Sequence, residues 1–386
     1  MTQHLKYLGL ATASLAFLAF LAACGGRDDT ALPSEAVSAE ITAGTAVSVF
    51  ATGLINPRGL EFGPDGNLYV AEAGLGGTTL TVGQCAQDAP PTGPYRGGKT
   101  ARISRIAPNG DRTTVVDGLA SGLNANGGII GVADVAFIGT TLYALQAGGG
   151  CSHGNPDVPA SVIRVGPAGT WSVLADLGAY RLAHPGSNPE RTEPEGNHYN
   201  MTTSGDALLV VDANHELVER VTLGGQVSLV ADIFASLGTS IVPTAIESRN
   251  GSASEAVVGD LSGFPLFNGA ARILRIGPDG AVTPVATGLT MVLAVEFDRA
   301  GRIYALEAVR CPTTGPCGPS PATAGTGRVV HLTRRGTIEV VATGLTFPTG
   351  MTFGPDGNLY VSNFGFLNTG PGAGQIVKID VPWNQP

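Results

Sequence analysis

Charge is scarce in this chain, and positive charge is scarcest. Only 14% of residues are Asp, Glu, Lys or Arg, and 22 basic residues face 31 acidic ones, for a net charge of −9. A nucleic-acid binder needs a basic surface to neutralise phosphates, so that class is excluded. Aromatic residues are few (6%), with two tryptophans, Trp171 and Trp383. That speaks against a cofactor held by stacked rings around a quinone. No Cys-x-x-Cys, His-Glu-x-x-His or Gly-x-Ser-x-Gly occurs. Structural zinc, zincin and serine-hydrolase readings therefore lack their motifs. The single long apolar run, Leu8 to Leu21, is too short and wrongly flanked for a membrane span.

That run does have a meaning. Lys6, the apolar run and Leu21-Ala22-Ala23-Cys24 read as an export signal over residues 1–23. Cys24 follows the small residues as in bacterial lipoproteins, where the thiol is lipidated; the plainer reading is an ordinary signal with an incidental cysteine. Gly25 rather than Asp then predicts outer-membrane anchoring, facing the periplasm or cell surface. The membrane is met only through that lipid. Residues 24–44, rich in Ala, Ser, Thr and Glu, read as a tether. Export implies an oxidising compartment, so Cys85, Cys151, Cys311 and Cys317 are expected in disulfides. Cys311 and Cys317 share one Pro/Gly loop and are expected to pair, which leaves Cys85 with Cys151.

What the chain has in abundance is glycine (56) and proline (26), and a phrase that returns. Gly63-Pro64-Asp65-Gly66-Asn67-Leu68-Tyr69-Val70 reappears as Gly354-Pro355-Asp356-Gly357-Asn358-Leu359-Tyr360-Val361. Repetition of this kind marks stacked units. Asp-Gly and Asn-Gly between alternating apolar runs are hairpin turns. A strand beginning Ala101-Arg102-Ile103 recurs near residues 161, 217, 272, 328 and 375, giving six copies. The last copy lacks a fourth strand. Ala46 to Leu54, which resembles Ile338 to Leu345, is expected to supply it. The fold predicted is all-β: a six-bladed β-propeller over residues 45–386, closed by an N-terminal strand, with no large exposed sheet edge. Seven blades is the alternative, but no seventh copy is visible.

In a propeller the short Pro-Asp-Gly turns share one rim and the variable loops the other, and function favours such loops. Two features mark the loop rim. First, the six second strands end in Glu72, Gln146, Asp212, Asp260, Glu307 and Asn363. Such a ring either offers oxygens to Ca²⁺, with the acids as ligands, or caps the amides of the loops between blades. Second, blade three departs from the others. It opens Glu195-Gly196-Asn197-His198-Tyr199-Asn200, follows a loop carrying His184, and adds Asp212, Asn214 and His215. His198, Asp212 and Glu195 are the catalytic candidates, because a neutral imidazole beside carboxylates suits acid–base work near neutral pH. Asn197, Tyr199, Asn214, His184, Gln146 and Asn363 are candidate ligand contacts.

Gly259-Asp260-Leu261-Ser262-Gly263-Phe264-Pro265-Leu266-Phe267-Asn268-Gly269 resembles the blade-four signature of the ScyD/ScyE family. Val242-Pro243-Thr244-Ala245, Asp212-Ala213-Asn214 and the Cys85 loop ending Gly97-Gly98-Lys99 fit as well. The resemblance implies an exported propeller with NHL-like repeats and assigns no reaction. Two functions are expected on these grounds. One is binding of a small molecule or a partner protein on the loop rim. The other is a Ca²⁺-dependent hydrolase of the lactonase kind. In lactonase propellers acids stand at the mouth of the innermost strands. The matching positions here are Arg58, Ala133, Tyr199, Thr244, Leu293 and Thr349, none of them acidic.

Overall fold

A computed structural model describes residues 45–381, apart from 91, 253–254, 312–314, 321–322, 334–335 and 367–369. The expected signal 1–23, Cys24, the tether up to residue 44 and Trp383 lie outside the described residues.

The repeated phrase folds as a hairpin. In the first copy Gly63 N donates to Asn67 O (2.9 Å), and Gly66 takes a φ of 76° that a side chain would resist. The Asp65 carboxylate accepts from the Asn67 amide (3.2 Å) and from the Tyr69 hydroxyl (3.0 Å). Asp356 does the same with Asn358 (3.2 Å) and Tyr360 (3.1 Å). Pro-Asp-Gly-Asn-Leu-Tyr is thus one hydrogen-bonded unit, which is why it recurs whole.

Strands from such hairpins assemble into six antiparallel sheets. Blade three shows the plan. His198–Ser204, Ala207–Asp212, Leu217–Thr222 and Val227–Asp232 pair in chain order from the axis outward, with Leu209 opposite both Thr202 and Arg220. The other innermost strands are Pro57–Phe62, Val132–Ile138, Pro243–Ser248, Val292–Phe297 and Gly350–Phe353. Each touches the next, and the last touches the first, so they ring a central channel. In the sixth sheet the outermost strand is Val47–Leu54, antiparallel to Gly374–Ile379, with Val47 opposite Ile379.

The core lies between blades. Leu209, Val211 and Val218 of blade three pack with Ile246, Val258 and Leu274 of blade four. Strand alternation puts one apolar face of each blade against the next, the arrangement that lets a sheet bury both faces.

Two stretches differ from the expectation. The third strand of blade one begins at Arg96, and its partner runs on to Leu123, making a longer hairpin over the loop rim. Gly97 permits it, since a Cβ there would lie 2.0 Å from Gly154 O. The loop expected before blade three opens with a helix, Leu177–Ala183, capped by Asp176, whose carboxylate accepts from Ala179 N (2.8 Å). Both expected disulfides form, Cys85–Cys151 and Cys311–Cys317. The first ties the blade-one loop to the blade-two loop. The second is gripped by the Gly-Phe-Pro stretch of blade four, through Asn268 and Leu266.

Candidate ligand cavity at the loop rim

Each innermost strand runs from the loop rim to the turn rim. Residues early in these strands therefore face the loop mouth, and residues just before the hairpins face the opposite end. The two ends differ in chemistry.

At the loop mouth, a cavity of about 130 Å³ is lined by Arg58, Tyr95, Asn124, Asn197, Tyr199 and Phe366, among others. Arg58 is its anchor. Only 7% exposed, it donates to Ile129 O (2.7 Å) and to the Tyr199 hydroxyl (3.2 Å). Its guanidinium lies 5.8 Å from the Tyr199 ring and 5.5 Å from the Phe366 ring. Two bonds leave some of its five donors free. Burial pushes the Tyr199 and Tyr95 hydroxyls above their ordinary range, so both stay protonated.

Deeper in the channel, a second cavity of about 120 Å³ is lined by Glu61, Asp134, Asn200, Thr202, Glu247 and Glu296, with backbone between them. Glu61, Glu247 and Glu296 share one register, each a residue short of its hairpin pair. Asp134 accepts from Asn200 Nδ2 (2.6 Å) and Met201 N (2.8 Å). Its carboxylate leans where a side chain on residue 59 would sit, so Gly59 is required. Burial, reinforced by Glu247 and Asp134, pushes Glu61 up to about 8. Burial alone pushes Asp134 up to about 7. Burial also takes Glu247 to about 8, and Glu296 well above the carboxylate range with Glu247 and Glu61 adding to it.

The blade-three candidates divide between the two faces of one strand. Asn197 and Tyr199 face the mouth cavity. His198 alternates to the other face and is fully buried. There its Nε2 lies 3.4 Å from Glu219 and 4.0 Å from Asp212, while Arg181 bridges Glu219 and Asp212. Burial opposes protonation of His198, but Asp212 and Glu219 outweigh it and raise its pKa. Burial likewise opposes ionisation of Asp212, yet His198, His215 and Arg181 hold its pKa well below the usual range. The structure thus brings His198 and Asp212 together inside the blade, not at a surface. Glu195 points elsewhere and accepts from Ser152 N (3.2 Å). Asn214 N donates to Asp212 Oδ1 (3.0 Å), and exposed His184 stacks on Tyr180 (4.2 Å).

The six second-strand residues are buried, and none lines either cavity. Glu72, Gln146, Glu307 and Asn363 accept from the entering-loop amides of Ile55 (2.6 Å), Ala120 (3.4 Å), Thr290 (2.5 Å) and Thr346 (2.8 Å). Asp212 and Asp260 accept from Asn197 N (3.1 Å) and Ser262 N (2.7 Å). Glu72, Asp260 and Glu307 also hold Arg102, Arg272 and Arg328. Their oxygens are engaged one blade at a time and do not fit a shared calcium ion.

Sequence reading named Tyr199 as a candidate ligand contact, gave Arg58 only by alignment, and missed Tyr95, Phe366 and the channel carboxylates. A signal for the last did exist: Leu60-Glu61-Phe62, Ile246-Glu247-Ser248 and Val295-Glu296-Phe297 each place an acid just before a hairpin in the strand nearest the axis.

No family model matches this chain, and no curated protein matches it. Among solved structures it is similar to a protein of unknown function from Bacteroides thetaiotaomicron (TM-score 0.55, 11% identity, 87% of this chain and 76% of that one). It is also similar to the PQQ domain of pyranose dehydrogenase from Coprinopsis cinerea (TM-score 0.53, 13% identity, 90% and 98%). A third is a gluconolactonase from Xanthomonas campestris (TM-score 0.51, 12% identity, 93% and 99%). At these identities the likeness is one of fold.

Proposed function

We propose that this protein is an exported, lipid-anchored propeller of the ScyD/ScyE type whose loop-mouth cavity binds a small organic molecule. The observation that carries the reading is Arg58, a buried guanidinium with unused donors between two aromatic rings. A carboxylate or a polarised carbonyl oxygen would meet the guanidinium, while a sugar or planar ring packs on Tyr199 and Phe366. Asn124 and Asn197 offer amides to the rest of the ligand. The test is calorimetry with small carboxylates and lactones, gluconate and glucono-lactone among them. Arg58→Ala should lose roughly a hundredfold in affinity for any compound that binds, by the worth of a charge-assisted hydrogen bond. Binding left intact in Arg58→Ala would overturn the reading.

A second reading is turnover of the same ligand as a lactonase-like hydrolase, with a hard cation such as Ca²⁺ polarising the carbonyl. The observation favouring it is Asp134, whose carboxyl lines the deeper cavity of the same channel and is pushed up to about 7 by burial. Such a value suits a general base near neutral pH. The fold neighbours include a lactonase and a dehydrogenase domain, which prompts the assay. Lactone hydrolysis with a rate that rises with added Ca²⁺ and is lost in Asp134→Asn would support turnover.

A further inference from the structure

The deeper cavity, about 120 Å³, is ringed by side chains from all six innermost strands. In blade order they are Glu61, Ala136, Thr202, Glu247, Glu296 and Thr352. Blades four, five, six and one are consecutive, so Glu247, Glu296, Thr352 and Glu61 gather along one arc of the ring. Blade two gives the short Ala136, and Asp134, two residues before it, adds a fourth carboxyl. No Lys, Arg or His is among the described residues that line this cavity.

Part of the arc is held in place and part is unused. Glu61 Oε2 accepts from Phe137 N (3.0 Å), and Glu247 Oε2 accepts from Thr202 Oγ1 (2.9 Å). Among the described residues Glu296 has no hydrogen-bond partner. Thr352, on the next blade, is 8% exposed, and its hydroxyl has none either. Buried polar groups are nearly always paired, so two unused neighbours facing one cavity call for a donor from outside the chain. Acids gathered in a channel also cost stability unless protons or a cation meet them. Geometry narrows the choice of cation. Among the described residues no three His, Cys, Asp or Glu side chains stand together to hold a metal ion, so one small ion does not fit the ring. Acceptors spread around a channel match a ligand whose N–H donors are spread over a plane.

We propose that Glu61, Glu247, Glu296 and Thr352 bind a small organic cation of the guanidinium class, with Asp134 completing the site. A guanidinium fork meets carboxylates two bonds at a time and is more weakly hydrated than an ammonium, so it enters a channel at lower cost. Binding ionises carboxyls that otherwise keep their protons near neutral pH, and about one proton passes to the solvent for each cation bound. The titratable groups facing the ligand are Glu61, Asp134, Glu247 and Glu296, from blades one, two, four and five. Blades three and six present Asn200, Thr202 and Thr352. The site is independent of the ligand at the loop mouth, which meets a guanidinium rather than supplying one.

The test is calorimetry of the whole protein with methylguanidinium chloride, beside tetramethylammonium chloride, Glu296→Gln, Glu247→Gln and Thr352→Val. One methylguanidinium should bind, tightening by about tenfold per pH unit up to about pH 8, the slope of one released proton. The heat should change with the ionisation enthalpy of the buffer. Each Gln variant should weaken binding roughly tenfold to a hundredfold, and Thr352→Val several-fold. Tetramethylammonium carries the charge without donors and should not bind. Thermal melts at about pH 8 guard against misfolding, since both Gln variants lose a crowded acid and should melt no lower than the wild type. No methylguanidinium binding by the wild type, binding undiminished in either Gln variant, or equal binding of tetramethylammonium would overturn the assignment.

Discussion

The two ends of the central channel are built from the same strands and carry opposite chemistry. At the loop mouth, one buried guanidinium stands between aromatic rings, with free donors. Three residues further along the same strand, Glu61 joins Glu247 and Glu296 in a ring of carboxylates that keep their protons near neutral pH. The scaffold does not set this difference; the variable loops do. Tyr95, Asn124 and Phe366 come from loops that only the loop rim possesses, and they give Arg58 an apolar setting. The turn rim has only tight hairpins, so its end of the channel offers strand residues and little else. A ligand with an acceptor oxygen and a ring fits the first end, and the second offers it neither a guanidinium nor an aromatic ring.

The largest effect that sharpens this contrast is on binding. Arg58→Ala should weaken the binding of a carboxylate ligand roughly a hundredfold, while Glu247→Gln, at the other end, should leave it within about threefold, or 0.7 kcal/mol. Calorimetry reads both.

Next comes a contrast between the two faces of one strand. His198→Ala should cost roughly 3 kcal/mol of stability, because it strips a partner from buried Asp212 and Glu219. Tyr199→Phe, one residue on, should barely change the melt but weaken ligand binding several-fold. Denaturant unfolding of both variants checks the pair. A stable His198→Ala that cannot bind ligand would restore the blade-three histidine as a functional group.

A smaller effect concerns pH. The channel carboxyls have folded pKa values above the ordinary 4.5, so between about 4.5 and 8 the folded protein holds more protons than the unfolded chain. Stability should therefore fall as pH rises through that window. Glu247→Gln should melt higher than the wild type at pH 8.5 and match it near pH 4.5. A melt that rises steadily with pH would contradict the buried-acid reading. The smallest effect is at the surface. Lys99–Asp157 is an exposed pair (2.9 Å), and Lys99→Ala should change stability by under about 0.5 kcal/mol.

Much of this architecture could be read from the chain, because one hydrogen-bonded turn writes the same residues each time. Asp65 and Asp356 hold the same Asn and Tyr partners, so the repeat is both sequence and structure. The second-strand ring was also visible, and of its two readings the structure shows the capping of loop amides. Glu72 and Glu307 were picked out by type and position, and only their bonds to Ile55 N and Thr290 N show that they hold entering loops. Arg102, Arg272 and Arg328 make the ion pairs, whereas Arg220 and Lys378 pair with Asp206 and Asp356 at the turn rim. In blade three alternation sorts the candidates: Asn197 and Tyr199 reach the cavity, and His198 cannot. Tyr95 and Phe366 lie in long loops with no periodicity, so nothing in the chain could bring them to Arg58. The channel acids come from three blades and converge only once the ring is closed.

The most direct measurement is the affinity of one small carboxylate, gluconate or an aromatic acid, for the wild type, Arg58→Ala and Glu247→Gln side by side. The account predicts binding that is weakened roughly a hundredfold in Arg58→Ala and kept in Glu247→Gln. Binding kept in Arg58→Ala and lost in Glu247→Gln would move the site to the acidic end and contradict it.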